Sequence, residues 1–515
     1  ANSAHELILP PAHPSSDPSA PSRALGRPMW RVDAGVRRRL AWWSWCALWA
    51  QLVKVDAENG LRGSDSLHQV LVFDAGSSGT RIHVFNLIAS SSSGEEHVPK
   101  VDISVRSKQT KKVTPGLSAF AEKGDLDGAE QNIMELLKFA NRFVAEAKRP
   151  STPVLLKATA GLRAVSAAQA EAVIDRIRET LGASAYRFSP EWADIIQGKE
   201  EGGLAWVAAN FLKGTFGEHS EGVQMESVGV IEMGGGSTQV TFQIDAEDKV
   251  AFVDDFIFET ALGRKYRLYA HSYLGYGKDH ARARLRERAP KSEVEDPCYA
   301  QGYSLAGASS SVHGAGDFGR CQANIKSRLM LGASGDAPGS YGDELPLRGA
   351  DFVATESFFY TQDDLALGLE DRTLGEGVLE TAAGRTCKIV FDRGADKKLA
   401  EMCFALSYEA SLLKALKVWE IGATVKIVHK INGADVDWAL GAALVHFLQG
   451  NAEPESVEVS QGFTMNQTVL GFVSLLAVAM AAVYVLIRAQ PKQVMQFIGL
   501  EPQKLGTPVH DRAAE

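Results

Sequence analysis

A chain of 515 residues, 45% hydrophobic and 23% charged, is too long for one hydrophobic core and too varied for a fibrous or disordered protein, so two packed lobes are expected. Its formal charge of −9 excludes the basic face that nucleic-acid binding requires. An anionic ligand would have to be held by local dipoles and a cation.

The chain opens on a leader, residues 1–36, rich at its start in Pro, Ser and Ala and too poor in large apolar groups to fold. Arg37, Arg38 and Arg39 precede the run LAWWSWCALWAQLV, short for a full span but suited to a signal peptide or signal anchor over 37–55. In the body, QVLVF at 69–73 is a buried-type strand that runs into DAGSSGTR at 74–81 and a second strand, IHVFNL. A helix is expected over 129–148. A strand from Val154 breaks at KATAGLR, 157–163, and helices follow over 167–181 and 203–212.

The segment VGVIEMGGGSTQVTFQI, 228–244, repeats the strand, glycine turn, strand pattern. Two such units predict duplicated lobes with a ligand between them, 66–187 with 427–452 as lobe I and 188–426 as lobe II. Residues 306–342, rich in Gly, Ser and Ala, read as a long surface loop. KINGADVDWALGAALVHFL closes the body with a turn and an amphipathic helix.

After a linker at 453–467, the uncharged run 469–487 measures about 28 Å as a helix and reads as a transmembrane segment, with 488–515 as a cytoplasmic tail. Arg488 and Lys492 follow the run directly, so both basic flanks belong on the cytoplasmic side and the body in a lumen or outside the cell. Besides Cys46 in the first apolar run there are Cys298, Cys321, Cys387 and Cys403. Local bridges 298–321 and 387–403 are the simplest of three connectivities, each stabilising by roughly 3 kcal/mol.

Chemistry concentrates in the small-residue turns. In DAGSSGTR, small residues including Gly79 let backbone amides converge on an anion, Ser77, Ser78 and Thr80 add hydroxyls, and Asp74 can hold a cation directly or through water. EMGGGSTQ offers a second nest with Glu232 at the same offset before its glycines; together the two loops suggest a metal-bound oligophosphate. Between them, Glu200 and Glu201 open a helix, and one of the two can orient and deprotonate a water; the spacing does not single out which. KATAGLR adds a third turn, with Thr159 as hydroxyl donor beside Ala160 and Gly161. There is no Walker A pattern, no G-x-S-x-G elbow and no zinc spacing.

In order, VFDAGSSGTRIHVF, KATAGLR, IIQGKEEGGLAWVAANFL, VIEMGGGSTQVTF and WALGAAL resemble the five blocks of the apyrase, or nucleoside triphosphate diphosphohydrolase, family over about residues 69–444. LKATAGLR, LAWVAANFL and YAHSYLGYG look closest to its ER and Golgi nucleoside diphosphatase branch, whereas GYGKDHA at 275–281 looks like the cell-surface triphosphatase branch. The resemblance implies an α/β, actin-like fold of two RNase H-type lobes, with nucleotide and Ca2+ or Mg2+ in the cleft. It further implies Asp74 and Glu232 as organisers of the metal through water, Glu201 as base, and Ser237 and Gln239 as the pair that orients the attacking water. Ser78, Arg81, Thr159, Gly234, Gly235 and Gly236 would cradle phosphates, and Trp438 would pack near the cleft. At position 232 the family carries Asp, one methylene shorter than this Glu.

The expected activity is removal of the terminal phosphate from UDP or GDP in the secretory pathway, with a broad apyrase acting on ATP and ADP as the alternative. A noncatalytic nucleotide binder is the third reading, disfavoured by the retained Glu201, Ser237 and Gln239. A sugar kinase or a chaperone ATPase would need an acceptor site or a peptide-binding domain that the chain does not offer. Phe359 and Tyr360 are candidates to stack on the base.

Overall fold

The computed structural model describes residues 66–89, 100–101, 109–216, 226–245, 255–259, 265–305, 312–330, 337–338, 351–391 and 397–449. The expected signal peptide or signal anchor at 37–55 and the expected transmembrane run at 469–487 lie outside them; among the described residues no helix is long and apolar enough to cross a membrane.

The first sheet is built from β1 (Ser66–Gly76), β2 (Gly79–Ala89), β3 (Thr110–Val113), β4 (Val154–Ala158) and β5 (Ala193–Ile195), in the order β3-β2-β1-β4-β5. β2 runs antiparallel to β1 and β3, and β4 and β5 run parallel to β1. The second comprises β6 (Gly229–Met233), β7 (Ser237–Gln243), β8 (Asp255–Glu259), β9 (Lys265–Leu274), β10 (Asp351–Glu356) and β11 (Thr424–Ile427), in the order β8-β9-β7-β6-β10-β11. Its hairpin β6–β7 is again antiparallel and its β10 and β11 again parallel to the first strand. With β8 and two short edge strands set aside, Lys100–Val101 on β2 and Thr373–Leu374 on β11, the two sheets share one order and one polarity.

The middle of both first strands, residues 70–73 and 230–231, is apolar without alternation because both of their faces are covered. Val70 and Val72 of β1 face an inner core and Leu71 and Phe73 an outer one, all fully buried. The helices are α1 (Leu117–Lys123), α2 (Leu126–Ala140), α3 (Ala160–Arg163), α4 (Ala167–Gly182), α5 (Gly198–Lys213), α6 (Lys278–Glu287), α7 (Phe318–Ile325), α8 (Ser357–Asp364), α9 (Val378–Thr386), α10 (Lys397–Ala415) and α11 (Trp438–Leu448). Buried side chains of α2 and α4 pack on Leu71 and Phe73, while α9 and α10 cover Ile231 and Met233 of the second sheet.

The inner layer is α5 and α11, which share one core with Val70, Val72 and Val230. They cross so closely at Gly441 that a Cβ there would stand 2.0 Å from the Leu204 carbonyl oxygen.

Two sequence expectations are corrected. The helix expected over 129–148 runs instead over Leu126–Ala140, and a 3-10 turn at Glu146–Ser151 follows it. Within the expected loop 306–342, Val312–Gly314 is a strand and Phe318–Ile325 a helix capped by Asp317, whose carboxylate accepts from Arg320 N. This helix is anchored because it carries Cys321, bonded to Cys298; Cys387 and Cys403 form the second disulfide.

Candidate active site

The matching hairpins place two glycine-rich turns in one cleft. Asp74 stands opposite Arg81 in the first hairpin, and Glu232 stands opposite Gln239 at the equivalent place in the second. Ser77, Ser78 and Gly79 line the cleft from the first turn, Gly234, Gly235, Gly236 and Ser237 from the second, and Thr159 and Ala160 from the break between β4 and α3.

Helix α5 enters the same cleft with its first turn. Glu201 lines it and is buried. Glu200 turns aside, toward Lys157 and Asp194, whose charges act on it. Arg163 Nη2 donates to Glu201 Oε2 over 2.7 Å and to Ser237 Oγ over 3.2 Å, while its Nη1 donates to the Ile196 carbonyl over 3.1 Å. Gln239 Nε2 lies 3.0 Å from the same Glu201 Oε2, 2.7 Å from Ser237 Oγ and 3.1 Å from Ser272 Oγ.

One carboxylate oxygen of Glu201 is therefore fixed by a guanidinium and an amide. The other has no protein hydrogen bond among the described residues and faces the cleft. Burial raises the Glu201 pKa while Arg163 holds it down, which leaves a carboxylate more basic than a solvated one.

The cleft carries more acid than it can ionise. Burial pushes Asp74 up to about 7 against the pull of Arg81, at 3.7 Å, and Glu356 and Asp437 push the same way. Glu232 is raised well above its ordinary range by burial and by Glu201, Glu356, Asp437 and Asp74. Its Oε2 is buried without a hydrogen-bond partner. An orphaned carboxylate oxygen facing other carboxylates is the signature of a missing positive charge. No three His, Cys, Asp or Glu side chains among the described residues converge as a direct ligand cage. The carboxylates of Asp74 and Glu232, which both line the cleft, fit a divalent cation.

Two expected phosphate ligands are not brought to the cleft. Thr80 is fully buried, since it alternates with Arg81 along β2 and points into the protein. Gly161 lies behind the first loop, where a Cβ would meet the Ser77 Cα at 2.9 Å. Of the proposed stacking pair, Phe359 is core, packed on His429 with ring centroids 4.4 Å apart, and Tyr360 is 39% exposed.

Sequence reading missed Lys112, Glu356 and Asp437, which also line the cleft, and the grip of Arg163 on Glu201. Asp437 carried a readable signal: it precedes WALGAAL and caps α11, accepting from Leu440 N at 2.9 Å. Glu356 ends β10 with φ 58°, a left-handed conformation uncommon for a non-glycine residue, which no local pattern announces.

The model of the GDA1/CD39 (nucleoside phosphatase) family matches residues 61–460. Over 424 residues the chain is 32% identical to probable apyrase 5 of Arabidopsis thaliana, which covers 74% of this chain and 82% of that protein. Over 399 residues it is 29% identical to ectonucleoside triphosphate diphosphohydrolase 5 of Bos taurus, covering 74% and 87%. The crystal structure of nucleoside triphosphate hydrolases from Neospora caninum shares the fold, with a TM-score of 0.60 at 18% identity over 85% of this chain and 100% of that one.

Proposed function

Since the chain belongs to the GDA1/CD39 (nucleoside phosphatase) family and is a nucleoside phosphohydrolase, we propose that it removes the terminal phosphate of nucleoside diphosphates, UDP and GDP foremost, on an actin-like pair of RNase H-type lobes. The observation that carries the site assignment is the Arg163, Glu201, Ser237 and Gln239 cluster, set between two phosphate-sized turns with one Glu201 oxygen open to the cleft.

In this reading the two turns hold the phosphate chain with backbone amides and the hydroxyls of Ser77, Ser78 and Thr159. Ser237 and Gln239 orient a water whose proton passes to the free oxygen of Glu201 as the water oxygen bonds to the terminal phosphorus. The bond from that phosphorus to the bridging oxygen breaks, and the nucleoside monophosphate leaves with the electron pair. Arg163 keeps Glu201 aimed, and ionised until it takes that proton. Asp74 and Glu232 would hold Ca2+ or Mg2+ through water, and the ion would supply charge neutralisation at the phosphate oxygens.

Two disulfides support a luminal or extracellular setting. Resemblance to the ER and Golgi branch favours the secretory pathway, with the chain anchored by 469–487. Tyr360 is the aromatic offered to the base. The broad apyrase acting on ATP and ADP remains the second reading, favoured by GYGKDHA at the second loop, where Lys278 N donates to the Gly234 carbonyl at 2.9 Å. Phosphate release from UDP, GDP, ADP, ATP and UTP separates the two: turnover confined to diphosphates supports the first, and equal turnover of triphosphates replaces it with the second.

A further inference from the structure

Two cations stand directly opposite each other on the first sheet, Arg81 of β2 and Lys112 of β3, in an antiparallel register that puts both side chains on one face. Both line the cleft. Like charges so placed repel across a ribbon, and Glu356, on which both cations act, offsets them only from beyond ion-pair distance. Arg81 has Asp74 at 3.7 Å. Among the described residues Lys112 has no carboxylate at ion-pair distance, and its Nζ donates instead to the neutral hydroxyl of Ser78 over 2.9 Å.

Packing holds the ammonium there as well. Gly79 lies beneath the lysine stem: a Cβ at 79 would stand 2.6 Å from Lys112 Cε and 2.6 Å from the Val113 carbonyl oxygen. The glycine is what lets the stem lie across the loop, so the lysine, though exposed, reaches over the turn and lines the cleft. Two cations aligned across neighbouring strands and both lining the cleft, one of them bonded to a hydroxyl of the first loop, form an arrangement that the phosphate chain of a nucleotide completes.

We infer that Lys112 is a substrate-binding residue whose ammonium, with Arg81, clamps the phosphate chain of a nucleoside diphosphate or triphosphate at the first loop. This rests on the phosphohydrolase reading of the cleft. Because Glu201, Ser237 and Gln239 gather at the second loop, the first loop faces the opposite side of the terminal phosphorus in an in-line displacement, where the nucleoside phosphate departs. Lys112 and Arg81 offset the negative charge that grows on that group.

The test compares the purified full chain with Lys112→Met and Lys112→Arg in three measurements: binding of a methylene-bridged, non-hydrolysable UDP, inhibition by UMP, and ligand-free melting. Lys112→Met is expected to weaken both the analogue and UMP by about tenfold or more, and Lys112→Arg to recover most of the loss. The ligand-free melting temperature of Lys112→Met should equal or exceed that of wild type, because the cross-strand repulsion is gone. Unchanged binding in Lys112→Met overturns the assignment even where wild type hydrolyses UDP, and a lowered melting temperature that accounts for the weaker binding overturns it as a structural strut. Wild type that binds neither analogue nor UMP fails at the phosphohydrolase reading itself, and this assignment falls with it.

Discussion

The Arg163 guanidinium and the Glu201 carboxylate meet at 2.7 Å, where the first turn of α5 comes beside the short helix that follows β4. The contact links two segments far apart in sequence and leaves the carboxylate with one bound and one open oxygen, so it fixes both the direction and the ionisation of the proposed base.

Loss of that grip should appear in turnover before it appears in binding. For Arg163→Met, kcat is expected to fall by about 10²-fold with KM within about threefold of wild type, since a misaimed base costs rate without removing phosphate ligands. Arg163 holds the Glu201 pKa down, so its removal should also move the acid limb of the kcat/KM profile to higher pH. An Arg163→Met enzyme with a normal kcat and an unmoved profile contradicts this role.

The crowded carboxylates predict how metal and pH act on stability. The Asp74 pKa lies at about 7 in the folded protein against 3.8 ordinarily. The stability this gives is fully present below about pH 4 and is lost as pH rises through 7. A divalent cation should therefore raise the melting temperature more at pH 8 than at pH 5, where it must displace protons. Equal shifts at both values would place the ion elsewhere.

A second buried acid gives a pH effect independent of substrate. Glu409 of α10 is 1% exposed, and burial raises its pKa to about 8 against the pulls of Thr361 and Lys278. The neutral acid is what the fold tolerates, so stability falls as pH rises from about 4.5 through 8. Glu409→Gln should flatten that fall and melt higher than wild type at pH 8.5, with little gain at pH 5. Parallel curves for the two proteins would show that Glu409 does not titrate in that window.

The crossing of α5 over α11 predicts a purely structural defect in the WALGAAL block. Gly441→Ala forces a methyl group against the Leu204 carbonyl oxygen and should destabilise by about 1–3 kcal/mol. Denaturant unfolding of the variant reads this directly, and a variant as stable as wild type would show that the two helices part without cost.

Both turns of the cleft are legible in the sequence because each is local: a buried strand, small residues with a carboxylate before them, and a returning strand. The choice between Glu200 and Glu201 is not, because it depends on the helical phase with which α5 meets Arg163. Thr80 was misread because adjacent residues on β2 point to opposite faces, and only Arg81 reaches the cleft. Lys112 and Glu356 are invisible to motif reading for a related reason: sheet pairing and a strained strand end bring them to the site. The duplicated strand order was foreshadowed by two strand-turn-strand units, but the helical cover around Cys321 was hidden by a run of Gly, Ser and Ala.

The most direct test of the central claim is UDP hydrolysis by wild type and Glu201→Gln, each with Ca2+, Mg2+ or EDTA, beside binding of the non-hydrolysable UDP analogue. The account predicts metal-dependent phosphate release by wild type, abolished by EDTA and reduced about 10²- to 10⁴-fold in Glu201→Gln, with analogue binding retained. Glu201→Gln that hydrolyses UDP at the wild-type rate would contradict it.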